Sequence, residues 1–368
     1  MLRIDRRSIQ NFDWMLLGLV VVLVVFGLVN LLSATHAGVG TGTSEIFRRQ
    51  LLTLGVAAAA AVGVCAIDYR RFARLAMPLY VLSLVLLLLP ILLSPVVRGA
   101  QAWLFAGRVQ PSELAKIGLV LALARYFQRN PPTEITRIRQ LGAPLLIIAV
   151  PCGIIVLQND IGVALLLLLI GVTFLPFVRI PWPAWVGLGA AAVGALVAFW
   201  NFGLRGYQRT RILDFLDPAR DPLASGYQAM QSRIAVGSGG LFGTGWLEGS
   251  QTQLRFLPTQ HTDFVFSVLA EEWGFAGSTF VLAIYLLLLL WGLWWVARNA
   301  KDAFGAMLAV GVVGTLFWPA TINVAMVLGL APVIGVPLPL FSYGGSALLS
   351  AGIAVGLLLN VSMRRYVF

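Results

Sequence analysis

The chain has 368 residues, 59% of them hydrophobic and 11% charged. Soluble domains carry about 25% charged residues, so a chain at half that level cannot keep most of its surface in water, and one membrane domain over 1–368 is a better reading than several soluble ones. The net charge of +11 could suit nucleic acid, but the basic residues lie in short segments between apolar runs, where membrane topology puts them.

Arg3, Arg6 and Arg7 precede an apolar run that begins at Trp14 and reaches Leu32. That is longer than the roughly 7–15 apolar residues of a cleaved signal peptide, so the run reads as an uncleaved first span. Further runs long enough to span occur near 50–66, 73–93, 112–128, 142–157, 161–177, 183–203, 274–297, 303–328 and 345–363. The pair 142–157 and 161–177 is barely separated, by Asn159 and Asp160, and reads either as two short spans or as one broken helix. The pattern predicts an all-α integral membrane protein of about ten transmembrane helices.

With ten spans and a cytoplasmic N-terminus, fifteen Arg and Lys fall inside, from Arg3 to Arg365, while the short outer loops hold only Arg48, Arg49, Arg98 and Arg108. This asymmetry predicts both termini on the cytoplasmic side. It also makes 204–263 a large extracytoplasmic loop between helices 7 and 8. The loop is rich in aromatic and aliphatic residues, so it is expected to be ordered rather than a linker.

Ionisable residues near or within apolar spans are functional candidates. Glu113 and Lys116, spaced i, i+3, share a helix face and read as a structural ion pair or as ligand-binding groups. Asp160, between two short runs, reads as a helix cap or a cavity residue. Asp263 closes the outer loop where an apolar span begins; by position alone it is an N-cap or a base at the rim of a low-dielectric cavity. Glu271 and Glu272, deeper in the same span, need a partner, a cavity or the membrane interface. Arg205, Arg209 and Arg211 suit a phosphate or carboxylate ligand, or a lipid headgroup. The glycine-rich stretch 237–245 is not a P-loop, because no Gly-Lys-Ser/Thr closes it; it supplies tight turns. Cys65 and Cys152 lie within apolar runs and form no metal or redox motif.

Several stretches together resemble the SEDS family (shape, elongation, division and sporulation) of peptidoglycan polymerases. They are Gly99-Ala-Gln-Ala-Trp103, Gln110-Pro-Ser-Glu-Leu-Ala-Lys116, Gln158-Asn-Asp-Ile-Gly162, Gly226-Tyr-Gln-Ala-Met-Gln-Ser232, Gly237-Ser-Gly-Gly-Leu241, Phe256-Leu-Pro-Thr-Gln-His-Thr-Asp-Phe264 and Pro337-Leu-Pro-Leu-Phe-Ser-Tyr-Gly-Gly-Ser346. Within the family the chain looks more like the elongation member than the division member. Two positions depart from the family pattern: Thr259 stands where Glu is usual, and Asn159 where Pro is common.

The resemblance implies that the substrate is lipid II, a disaccharide-pentapeptide on undecaprenyl pyrophosphate, polymerised outside the cytoplasmic membrane. It implies Asp263 as catalytic residue, with Glu113, Lys116, Asp160, Arg205, Arg209, Arg211, His261 and Ser342 as substrate-binding candidates. A divalent cation such as Mg or Mn could assist the leaving pyrophosphate. The implied partners are a class B penicillin-binding protein and elongation-complex membrane proteins. A lipid II flippase and a non-catalytic scaffold for the penicillin-binding protein remain the alternatives.

Overall fold

The computed structural model describes residues 10–36, 44–95, 100–130 except 106 and 108, 141–203 except 179, 225–365 except 258, and positions 206, 209, 210, 213 and 215. Among them the architecture is all-α. Every apolar run of the sequence is met by a helix: α1 (Trp14–His36), α2 (Glu45–Ala66), α3 (Tyr69–Leu93), α4 (Pro111–Arg129), α5 (Gly142–Leu157), α6 (Ile161–Val172), α7 (Trp182–Ala198), α10 (Val265–Leu290), α11 (Ala303–Val327) and α12 (Gly345–Met363). Between α7 and α10 lie α8 (Ser225–Ser238) and the single turn α9 (Ser250–Gln253).

Among the described residues six helices are long and apolar enough to cross a bilayer: α1, α2, α3, α11, α12, and α10 with its π-helical continuation Trp291–Ala297. Helices α5, α6 and α7 are shorter apolar helices. Leu52, Val62, Leu92, Trp182 and Leu196 stay exposed, and a surface so apolar is stable against lipid rather than water. The chain is a multi-pass membrane protein.

Helix α4 is the central pillar. It packs against α3, α5, α6, α11 and α12, and nearly all of its side chains from Pro111 to Ala124 are buried. Protein rather than lipid surrounds it, so it can hold charged residues that a lipid-facing helix could not. Helices α2 and α12 meet through small residues. A Cβ on Gly352 would lie 2.7 Å from the Ala57 carbonyl, and one on Gly356 2.8 Å from that of Ala61. This is the small-xxx-small contact by which apolar helices approach in a membrane.

The 142–177 region resolves into two helices. Asn159 has φ +64°. Its N–H donates to Val156 and that of Asp160 to Ile155, the Schellman arrangement that ends a helix. Ile148 touches Gly171, so α5 and α6 form an antiparallel hairpin. Proline cannot adopt this φ, so the turn as built excludes proline at position 159.

Candidate active site

The loop before α10 is built around that helix rather than beside it. Helix α10 begins at Val265, nine residues before the predicted run, and is broken at Gly274, where φ is +65°. In an unbroken helix the N–H groups of Phe275 and Ala276 would serve Glu271 and Glu272. They donate instead to the Gly240 and Leu241 carbonyls, 2.9 Å each, while Thr244 and Gly245 N–H serve the freed Glu271 and Glu272 carbonyls at 2.9 and 3.2 Å. The glycine-rich segment is thus spliced into the break, which leaves these four backbone groups paired at a depth where an unpaired one is costly. Gly243, with φ +86°, allows the approach: a Cβ there would lie 2.0 Å from the Glu272 carbonyl oxygen.

The splice also engages the two carboxylates. Glu271 accepts from Gln251 N–H (2.7 Å), Thr252 N–H (3.0 Å) and Thr252 Oγ1–H (2.7 Å), so it caps α9. Glu272 accepts from the Ser33 hydroxyl of α1. Both are partnered within the fold. Helix α8 lies over the assembly through Ser232, whose hydroxyl meets Ser267 and donates to the Val327 carbonyl, both at 2.8 Å.

Asp263 stands at the head of α10. The N-cap position of α10 is Phe264, so Asp263 stands one residue before the cap. The turn that carries it closes on Thr259, whose carbonyl accepts from the N–H of Thr262, Asp263 and Phe264. Opposite is the connector 328–344 between α11 and α12, buried at Val336 and from Leu338 to Ser342 and exposed at Leu330 and Gly335. A Cβ on Gly335 would lie 3.5 Å from Asp263 Oδ2. His261 joins the same wall: its carbonyl accepts from Tyr343 N–H at 3.0 Å, and the two rings lie 5.8 Å apart.

The connector links the remaining candidates. A Cβ on Gly162, two residues past Asp160, would lie 3.0 Å from the Ile334 carbonyl. Asp160 caps α6 through Val163 N–H at 3.2 Å and accepts from Gln110 Nε2 at 3.4 Å, so it is a cap that also faces the head of α4. Gln110 N–H donates to Ser346 (3.0 Å), and the Ser350 hydroxyl to the Glu113 carbonyl (3.1 Å). Glu113 and Lys116 form a buried ion pair, 2.8 Å apart. Ser342 is engaged within the connector, where its hydroxyl accepts from Leu338 N–H at 2.9 Å and shapes the turn.

Arg209 donates to the Trp200 and Asn201 carbonyls, at 2.7 and 2.8 Å, at the end of the α7 segment. Arg205 and Arg211 lie outside the described residues. Asn323 is not among the residues that the sequence singles out. It is fully buried in α11 and donates to the carbonyls of both Asp263 and Val336. An amide amid an apolar run is the signal that could have found it, but it is a weaker one than a charge.

Fold and site together define an all-α, multi-pass membrane protein in which Asp263, His261 and Ser342 border one partly buried connector. The chain belongs to the FtsW/RodA/SpoVE cell cycle protein family, whose family model matches residues 13–367. It is 38% identical to the peptidoglycan glycosyltransferase MrdB of Escherichia coli (strain K12) over 360 residues, 96% of this chain and 94% of that one. Its fold is similar to a chain solved in a peptidoglycan synthase complex that coordinates polymerization and crosslinking (TM-score 0.82, 36% identity, 97% of this chain and 99% of that one). It is similar also to the rod shape determining protein RodA of Thermus thermophilus (TM-score 0.71, 33% identity, 96% and 98%).

Proposed function

We propose that this chain is a peptidoglycan glycosyltransferase, joining the disaccharide units of lipid II into glycan strands at the outer face of the cytoplasmic membrane during elongation and shape maintenance. The observation that carries the reading is the Asp263 carboxylate at the head of α10, beside bare backbone at Gly335 of the connector, in a chain whose relatives are named peptidoglycan glycosyltransferases. In the proposed reaction the acceptor hydroxyl oxygen bonds to the donor's anomeric carbon. The bond from that carbon to the pyrophosphate oxygen breaks, undecaprenyl pyrophosphate leaves, and the hydroxyl proton passes to Asp263. A carboxylate within reach of the hydroxyl suits general-base work.

The leaving pyrophosphate needs positive charge. Lys116, tied to Glu113, and the arginines 205, 209 and 211 are the proposed sources, with Asp160 and His261 lining the sugar side. Among the described residues no three His, Cys, Asp or Glu side chains gather as metal ligands. A Mg or Mn ion would, when bound, neutralise charge on the leaving pyrophosphate.

The chain is further proposed to be one polytopic domain of the inner membrane with both termini cytoplasmic and 204–263 outside, a reading supported by the distribution of Arg and Lys. A class B penicillin-binding protein is the proposed partner, supported by the synthase complex that holds its structural neighbour. Purified protein in vesicles with labelled lipid II tests the activity: polymer is expected, whereas leaflet transfer without polymer would make the chain a flippase. Full function in cells with Asp263→Asn would favour a scaffold.

A further inference from the structure

Asn323 lies in a stretch of α11 that is otherwise almost wholly apolar, and it is fully buried. A buried amide is costly unless it is hydrogen-bonded. Both of its donated bonds are 2.7 Å long, one to the Asp263 carbonyl and one to that of Val336. The orientation of the amide follows from this, since the reversed group would press its oxygen against two carbonyl oxygens. Its Oδ1 is left buried without a partner. An unsatisfied buried acceptor is a cost, which the two donated bonds offset.

The two carbonyls belong to the two segments that flank the carboxylate. One carries Asp263. The other includes Gly335, whose φ of +72° brings bare backbone beside Asp263 Oδ2. Phe264 at the N-cap of α10 makes no side-chain cap bond, and the Asp263 N–H donates to the Thr259 carbonyl of its own turn. A second buried asparagine, Asn30 of α1, donates to the Val265 carbonyl at 2.8 Å and steadies the first turn of the helix.

We infer that Asn323 is the positioning residue of the glycosyl transfer, fixing the distance between the Asp263 carboxylate and the wall formed by the connector. It acts through the backbone of both segments and touches no substrate. The inference rests on Asp263 being the base. A base displaced by about 1 Å loses on the order of 10²-fold in rate, while the sugar and lipid contacts that set KM lie on other residues.

The test is steady-state polymerisation of lipid II by the purified full chain, with melting temperature measured on each sample. Asn323→Leu keeps the volume and removes the donors; Asn323→Ala is the second variant. The expected result is folded protein with kcat lowered about 100-fold and KM unchanged. Wild-type kcat in a folded variant would overturn the inference, as would a rise in KM at constant kcat. Failure of both variants to fold would assign the amide to the fold alone and overturn it too. Asp263→Asn, run alongside, separates the two claims. If it polymerises normally, the base assignment falls and Asn323 with it; if it is inactive while the Asn323 variants are not, the positioning role alone falls.

Discussion

Glu113 and Lys116 are charged residues in a helix that has almost no exposed surface, and the 2.8 Å ion pair makes that tolerable. Removing one partner strands the other, which typically costs about 3–5 kcal/mol for a buried pair. Glu113→Ala and Lys116→Ala are each expected to lower folded yield or activity sharply. The double replacement should lose less than the sum of the two, because no stranded charge remains; simple additivity in melting temperature and rate would show the pair to be uncoupled. The i, i+3 spacing makes this pair legible in the sequence. Asp160 is a cap of α6 that also accepts from Gln110. Asn323 is hard to read because an amide carries no charge to count, and its two carbonyl partners lie 60 and 13 residues away in the chain.

At the scale of elements, the glycine-rich segment is recognisable as a place of tight turns but not as the missing strut of a broken helix. Gly274 in an apolar run looks like any helix glycine, and its backbone partners come from the earlier segment around Gly240 and Leu241. The run long enough to span starts at 274, which is where the break falls, although an apolar stretch is already legible from Asp263. The splice predicts a contrast within one motif. Gly243→Ala would set a methyl against the Glu272 carbonyl in a left-handed backbone conformation and should cost at least about 1–3 kcal/mol, seen as a lower melting temperature in detergent. Gly237 has open space around its Cβ position, so Gly237→Ala should be near neutral or slightly stabilising, as helix propensity favours alanine by about 1 kcal/mol. Equal effects at the two positions would contradict the splice.

For the whole molecule, composition and the spacing of apolar runs point directly to the all-α membrane class, because hydrocarbon permits helices and closed barrels alone. What they could not give is which helix stands at the centre. Helix α4 is less apolar than its neighbours, since protein surrounds it on nearly every side. In a background with Cys65 and Cys152 replaced, a cysteine at Ser250 should react with impermeant reagents from outside the cell; reaction from the cytoplasm alone would invert the topology and remove the site with it.

The central claim is that Asp263 takes the acceptor's proton. A cap tolerates Asn about as well as Asp, whereas a base cannot be replaced by an amide. The direct measurement is the rate of lipid II polymerisation by purified wild-type and Asp263→Asn protein, each folded and combined with the proposed penicillin-binding partner. The account predicts a loss of about 10²–10⁴-fold. An Asn variant that makes glycan polymer at the wild-type rate would contradict it.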